Sequence, residues 1–253
     1  MNQLSIVTVV KNNLAALMST YESVSILDFP HEWVVVDGGS DSETIAWINS
    51  IKSSQISYIQ ESDKNLYDAM NKGVRRANGS HLIFMNAGDR IFLSNEMTTV
   101  LRQLRLDAGW IGCIRKKVKN KSSKFVVVRP NRFAYWLIKY GIQPTSHQAT
   151  IYPKGFLVYE PFNTYIGLAA DQISIMNLLR KSKVEFGYSE IICDFEGGGL
   201  GDSQPRFAFF KQMFNHRNFQ KSKLSSFIEI LALPVLLLIK AFFSLLYKSR
   251  VLL

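Results

Sequence analysis

The sequence predicts an α/β domain built on an open, mostly parallel sheet flanked by helices. Three observations carry that reading. Short apolar runs rich in β-branched residues alternate with segments of helical period over about the first 100 residues, the pattern of repeated strand–helix units. The runs LSIVTVV and WVVV lack polar alternation, as strands buried on both faces do. Several runs end in small or acidic residues, at the edge where open α/β sheets bind ligands.

The elements follow in order. LSIVTVV is a first strand, and a helix is expected around Leu14 to Ser25. EWVVVDGGSD carries a second strand that ends at Asp37 and a glycine pair. SETIAWINSI reads as a helix, with Ser40 or Ser42 as its cap. ISYIQES is a third, weaker strand. LYDAMNKGVRRA is a helix whose Leu66, Ala69, Met70, Val74 and Ala77 share one face. HLIFM is a fourth strand and NEMTTVLRQLRL a further helix. Beyond these, GWIGCIRK and KFVVVRP read as strands joined across a basic loop. ATIYP is another strand, DQISIMNLLRKS a helix, and VEFGYSEIICDFEGGGLG strand material that runs into a glycine-rich stop.

With 253 residues, 47% of them hydrophobic, the chain can bury a sizeable core. The formal net charge is +10. Eight Lys/Arg and no acid lie between Arg115 and Arg132, and five Lys/Arg and no acid between Arg206 and Lys223. Such blocks suit an anionic partner or form solvated loops. Cys113 and Cys193 stand alone among apolar neighbours, without zinc spacing, and are expected as buried thiols. MNQLSIVTVV shows no export signal, so a cytosolic catalytic domain is expected.

Residues 1–205 form that domain in this reading, and 206–253 a basic, greasy tail. In FIEILALPVLLLIKAFFSLLY, at 100° per residue, Ser226, Glu229, Lys240, Ser244 and Lys248 fall in one narrow stripe. This fits a helix or broken helix in a membrane interface. A full span and a packing helix are the alternatives, although Glu229 and Lys240 argue against a simple span.

Three acids follow three successive strands. Asp37 can accept from a base N–H or a ribose hydroxyl, and Asp63 can hold the other side of the same nucleotide. Asp89 suits a divalent cation that bridges two phosphates, with Asn86 to orient it or supply a carbonyl oxygen. Val9 and Asn12, in VTVVKNN, close the first strand at the same edge, and Lys64 can balance phosphate charge. No G-x-G-x-x-G or G-K-[ST] follows the first strand, which removes support for a hydride-transfer enzyme and a P-loop ATPase. Asp171 opens a helix after small residues and is the best general base; Glu160 and Glu185 are weaker choices. As a bare pattern, Asp171 is equally a helix cap, and His147 an ordinary structural histidine.

The motifs SIVTVVKNN, VVVDGGSDSE, ESDKNLYDAMNKG, ANGSHLIFMNAGDR, SHQATIYPK and FEGGGLG together resemble family 2 glycosyltransferases, the inverting group with the GT-A fold. They are especially similar to the branch that builds bacterial surface polysaccharides, and they span most of Ser5 to Gly201. The resemblance implies that Asp37 and Asp63 bind the nucleoside and that NAGD is the metal motif, served by Mn²⁺ or Mg²⁺. It also implies that His147 and Gln148 line the cleft and that Asp171 stands where the family's base opens a helix. The usual motif has an acid at the place of Asn86 and often another at Gly88, and this branch often has glycine where Asn65 stands.

The expected function is transfer of a sugar from a UDP- or GDP-linked donor to a hydroxyl of a lipid-linked or growing glycan. The expected place is the cytoplasmic face of the bacterial inner membrane, peripheral or monotopic, on an anionic surface. A polyprenol phosphate acceptor is the nearest alternative. A non-enzymatic membrane-surface or nucleic-acid-binding protein is the alternative of another class. Nucleic acid is not an expected partner, because strand-end acids repel a phosphate backbone.

Overall fold

The computed structural model describes residues 4–51, 53–117, 125–128, 130, 135, 138 and 145–195. The first half is β1 (Leu4–Val10), α1 (Leu14–Ser25), β2 (His31–Asp37), α2 (Ser42–Ser50), β3 (Ile56–Gln60), α3 (Leu66–Arg76), β4 (His81–Asn86), β5 (Arg90–Ile91) and α4 (Asn95–Gln103). The second is β6 (Ala108–Lys117), β7 (Phe125–Val128), a 3₁₀ turn (His147–Ala149), β8 (Thr150–Pro153), α5 (Lys154–Tyr159), α6 (Ala170–Lys181) and β9 (Lys183–Phe195).

The strands form one sheet in the order β3-β2-β1-β4-β8-β6-β9-β5, with β7 added on β6. The block β3-β2-β1-β4 is parallel throughout, as expected. The sheet as a whole is mixed, which corrects the mostly parallel expectation: β8 is antiparallel to β4 and β6, and β7 to β6. The reason is the path of the chain. β8 descends from the carboxyl end of β4, so Leu82 pairs with Tyr152 and His81 with Pro153.

Successive residues of a strand face opposite ways, and both faces of the parallel block are covered. Leu4, Ile6, Trp33, Val35, Ile83 and Met85 pack with Leu17, Val24, Ile48, Met97 and Leu101 of α1, α2 and α4. Val7, Val9, Val34, Val36, Leu82 and Phe84 pack with Met70 and Val74 of α3, Leu157 of α5, and Ile175 and Leu178 of α6. α3 lies so close to the sheet that a Cβ on Gly73 would stand 2.3 Å from Cγ1 of Val7.

Side chains cap the strand-to-helix turns. Asn13 accepts from Ala16 N–H, Asn65 from Tyr67 and Asp68 N–H, and Ser94 from Met97 N–H. The cap of α2 is Asp41, rather than Ser40 or Ser42; it accepts from the Thr44 N–H at 2.9 Å. Ser40 is engaged elsewhere, its hydroxyl accepting the Asn12 N–H at 2.8 Å.

At the amino ends of the strands, Glu32 is buried and ties the α3–β4 turn to β1 and β2. It accepts from the Ser5 hydroxyl at 2.5 Å, from Asn78 Nδ2 at 3.0 Å, and from the backbone N–H groups of Asn78 and Gly79. Burial alone would raise its pKa. The donors outweigh burial and hold the carboxyl below the ordinary glutamate value of 4.5. A depressed value stabilises the fold above that ordinary value, and the contribution is lost as pH falls through the lower folded value. Glu32→Gln is therefore expected to cost about 1–3 kcal/mol at neutral pH. It should also flatten the loss of stability below about pH 4.5, measured by urea unfolding against pH. An unchanged acid slope would contradict this.

Both cysteines are buried thiols outside any disulfide, as expected. Arg115, the first residue of the basic block, forms a bidentate ion pair with Asp194. Most of the rest of that block, FEGGGLG after its Phe195, and residues 206–253 lie outside the described residues. No helix among the described residues is long and apolar enough to cross a membrane.

Candidate active site

The predicted site residues line one edge of the sheet in strand order. Asp63 follows β3, Asp37 ends β2, Val9 and Asn12 close β1, Asn86 and Asp89 close β4, and His147 and Gln148 precede β8. Five adjacent strands at ~4.8 Å spacing make this a row of about 19 Å, suited to an elongated ligand.

At one end, Asp37 is fully buried. Its Oδ1 accepts from the N–H groups of Gly39 (3.1 Å) and Ser40 (2.8 Å), and its Oδ2 from the Tyr58 hydroxyl at 2.8 Å. Burial, the hydrogen bond and the charge of Asp37 push the Tyr58 phenol well up, so it stays a donor. Asp63 reaches over this turn: a Cβ on Gly38 would stand 2.9 Å from Asp63 Oδ2. Lys64 is exposed, and its N–H donates to Asp68 at 3.1 Å. The basic side chain bonded to Asp63 is Lys72, at 2.6 Å. Neither Tyr58 nor Lys72 was among the predicted residues. The i,i+4 spacing of Asp68 and Lys72 in α3 was the available signal for the latter.

In the middle, the NAGD turn is held from below. The Ala87 N–H donates to the Val9 carbonyl at 3.2 Å. The Gly88 N–H donates to the Thr20 hydroxyl at 2.9 Å, and that hydroxyl donates to the Asp89 carbonyl at 2.8 Å. Gly88 has φ +102°, a conformation that would strain an acid at this position. Asp89 is buried, and its Oδ2 accepts from Asn86 N–H at 3.0 Å and Gln148 Nε2 at 2.8 Å. Arg90 points away from the turn, to Ser19 and Glu22 of α1.

At the other end, His147 Nδ1 lies 3.1 Å from Asp171 Oδ2, and Nε2 lies 3.4 Å from Asn86 Nδ2. A carboxylate only accepts, so Nδ1 carries the proton and Nε2 accepts from the Asn86 amide. His147 and Gln148 are neighbours in one turn, and they join the Asp171 carboxylate to the NAGD turn. Asp171 is not the cap of α6. Ala169 occupies that position, and Asp171 sits in the first turn with its Oδ1 on the Gln172 N–H at 2.7 Å.

The loop leading to Asp171 is gripped by α3. The Asn71 amide donates to the Phe162 carbonyl (2.8 Å) and accepts its N–H (2.9 Å). Tyr67 donates to the Leu168 carbonyl and Asn65 to the Thr164 carbonyl. Of the other base candidates, Glu160 pairs with Lys181 at the far end of α6, about 15 Å along the helix from Asp171. Glu185 is exposed on β9, in register with Trp110.

Asn86, whose N–H donates to the Asp89 carboxylate, has a side-chain Oδ1 that is buried without a hydrogen-bond partner. Among the described residues no cluster of three or more His, Cys, Asp or Glu could hold a metal. One carboxylate and one amide oxygen fit a hard divalent cation that takes its remaining oxygens from a ligand's phosphates.

Comparison with known proteins supplies the family. The model of glycosyl transferase family 2 matches residues 5–155. An uncharacterized glycosyltransferase of Mycobacterium tuberculosis (strain CDC 1551 / Oshkosh) is 25% identical over 210 residues, covering 81% of this chain and 79% of the relative. A PGL/p-HBAD biosynthesis glycosyltransferase of Mycobacterium bovis (strain BCG / Pasteur 1173P2) is 29% identical over 152 residues, 55% of each chain. Among solved structures, S. aureus TarS 1-349 in complex with UDP-GlcNAc superposes with TM-score 0.63 at 16% identity, over 84% of this chain and 64% of that one. The mannosyltransferase PcManGT from Pyrobaculum calidifontis, in complex with GDP-Man and Mn²⁺, gives TM-score 0.63 at 15% identity, over 87% and 65%. The chain thus spans just under two thirds of these solved chains, and at such identity they speak for the fold alone. The mixed α/β sheet described above is thus a fold that this chain shares with both solved structures. With more than half of its length matched by the family model, the chain belongs to glycosyl transferase family 2.

Proposed function

We propose that this protein transfers a sugar, with inversion, from a nucleotide sugar to a hydroxyl of a lipid-linked or growing surface glycan. The observation that carries the reading is the row of strand-end groups from Asp63 to Asp89, which His147 and Gln148 join to the Asp171 carboxylate. Asp37 and Asp63 take the nucleoside, the NAGD turn takes the diphosphate, and the acceptor approaches Asp171. Asp89 and the Asn86 amide oxygen would hold Mn²⁺ or Mg²⁺, which when bound offsets charge on the diphosphate.

In the reaction, the acceptor hydroxyl attacks the anomeric carbon as its proton passes to the Asp171 carboxylate. The bond from that carbon to the phosphate oxygen breaks, and its electron pair leaves with the nucleoside diphosphate. His147 orients the accepting carboxylate by donating to its Oδ2. One displacement gives one inversion and needs no sugar–enzyme bond.

The mycobacterial relative named for PGL/p-HBAD biosynthesis and the donors held by TarS and PcManGT support the substrate classes. The polar stripe and basic run of residues 206–253 support an acceptor met at the cytoplasmic membrane surface. Thermal shift with UDP, GDP, dTDP and CMP, each with and without Mn²⁺, tests the donor side. One diphosphate should stabilise the protein more with the metal than without it, and with the metal at 100-fold excess over Kd by about 2.7 kcal/mol relative to the ligand-free protein. No shift with any nucleotide in either condition would contradict the reading.

A further inference from the structure

Three acids converge on a single ammonium beside the nucleoside end of the row. Lys72 Nζ lies 2.6 Å from Asp63 Oδ1, 3.5 Å from Glu61 Oε2 and 4.0 Å from Asp68 Oδ2, and it donates to the Ser62 carbonyl at 2.8 Å. The partners are unequal. Glu61 is 60% exposed, where an ion pair contributes little. The Lys72 and Asp63 side chains are each 11% exposed, and only this pair is at full hydrogen-bond distance.

The donor is also rigidly mounted. The next residue, Gly73, lies against Val7 so closely that no side chain fits between α3 and the sheet. Nζ therefore starts from a fixed backbone and takes one carboxylate oxygen. The other oxygen, Oδ2, is turned toward Gly38, beside the turn held by Asp37. The Asp63 bond, against partial burial, also raises the Lys72 ammonium above its ordinary range, so the lysine stays a charged donor.

We propose that Lys72 is a positioning residue for donor recognition: it fixes the Asp63 carboxylate so that one oxygen faces the nucleoside. The inference rests on the proposed donor site and goes beyond it in assigning a role on α3. A lysine that only staples the loop through Ser62 would stabilise the protein without affecting nucleoside recognition specifically.

The test is calorimetric titration of the full chain with UDP, GDP and inorganic pyrophosphate, each with Mn²⁺. Lys72→Met should weaken the preferred nucleoside diphosphate about 10- to 100-fold, the scale of one buried charge-assisted hydrogen bond. Pyrophosphate, which lacks the nucleoside, should bind within about 2-fold of the parent, a negligible difference on that scale. Lys72→Arg should recover most of the loss. In an Asp63→Asn background, Lys72→Met should add almost nothing. If Lys72→Met does not fold, Gly38→Ala supplies the same readout, because its Cβ would displace Asp63 Oδ2.

Equal weakening of pyrophosphate and nucleotide, or a full further loss in the Asp63→Asn background, would reduce Lys72 to a loop staple and overturn the proposal. Unchanged nucleotide affinity in Lys72→Met would overturn it while leaving the donor reading intact. A parent protein that binds neither nucleotides nor pyrophosphate would overturn both.

Discussion

Asp171→Asn is expected to slow sugar transfer by about 10²–10⁴-fold and to leave donor affinity within a few-fold of the parent. The substitution keeps the side chain's size and one oxygen, which can still accept from Gln172 or His147. In the proposed mechanism it removes the charge that takes the acceptor's proton. Donor contacts lie on other strand ends, so binding should survive. A role in helix capping alone predicts another pattern: about 1 kcal/mol of stability lost and nearly normal turnover. The structure already weakens that alternative, because Ala169 is the cap residue and no side chain caps α6. Single-turnover rates at saturating donor and acceptor, beside donor affinity on the same preparation, separate the two. A chemical step within a few-fold of the parent would remove Asp171 as the base.

Asp89→Asn should abolish most of the gain in diphosphate affinity that Mn²⁺ gives, a loss of about 10- to 100-fold or more. Binding of the bare nucleoside should change much less. Asp89 is also structural, since its Oδ2 receives both the Asn86 N–H and the Gln148 amide. The variant can keep one oxygen acceptor for these donors, so a modest fall in Tm is expected alongside. Titration of nucleoside and nucleoside diphosphate, each with and without metal, distinguishes the two effects. Equal metal-dependent affinity in variant and parent would sink the assignment.

Much of this arrangement was legible in the sequence, for definite reasons. Apolar β-branched runs marked the parallel strands, and small or acidic residues marked their ends, so Asp37, Asp63 and Asp89 could be placed at one edge. Asp171 could be placed at the start of a helix. What escaped were pairings between distant stretches. Lys72 on Asp63 needed the fold of the 61–65 loop back along α3. The grip of Asn71 on Phe162 joins residues 91 apart in sequence. The antiparallel β8 was hidden because TIYP carries no mark of strand direction. The Asp41 cap was misread because Ser40, Asp41 and Ser42 are all competent cap residues, and only the course of the chain commits Ser40 to Asn12.

The most direct test of the central claim is NMR analysis of the products formed from nucleotide sugars of known anomeric configuration. The full chain would be incubated with UDP- and GDP-sugars, Mn²⁺ and a lipid-linked glycan acceptor. The account predicts release of one nucleoside diphosphate per new glycosidic bond, with the anomeric configuration opposite to that of the donor. A product that retains the donor's configuration, or an acceptor left unglycosylated by every donor that binds, would contradict it.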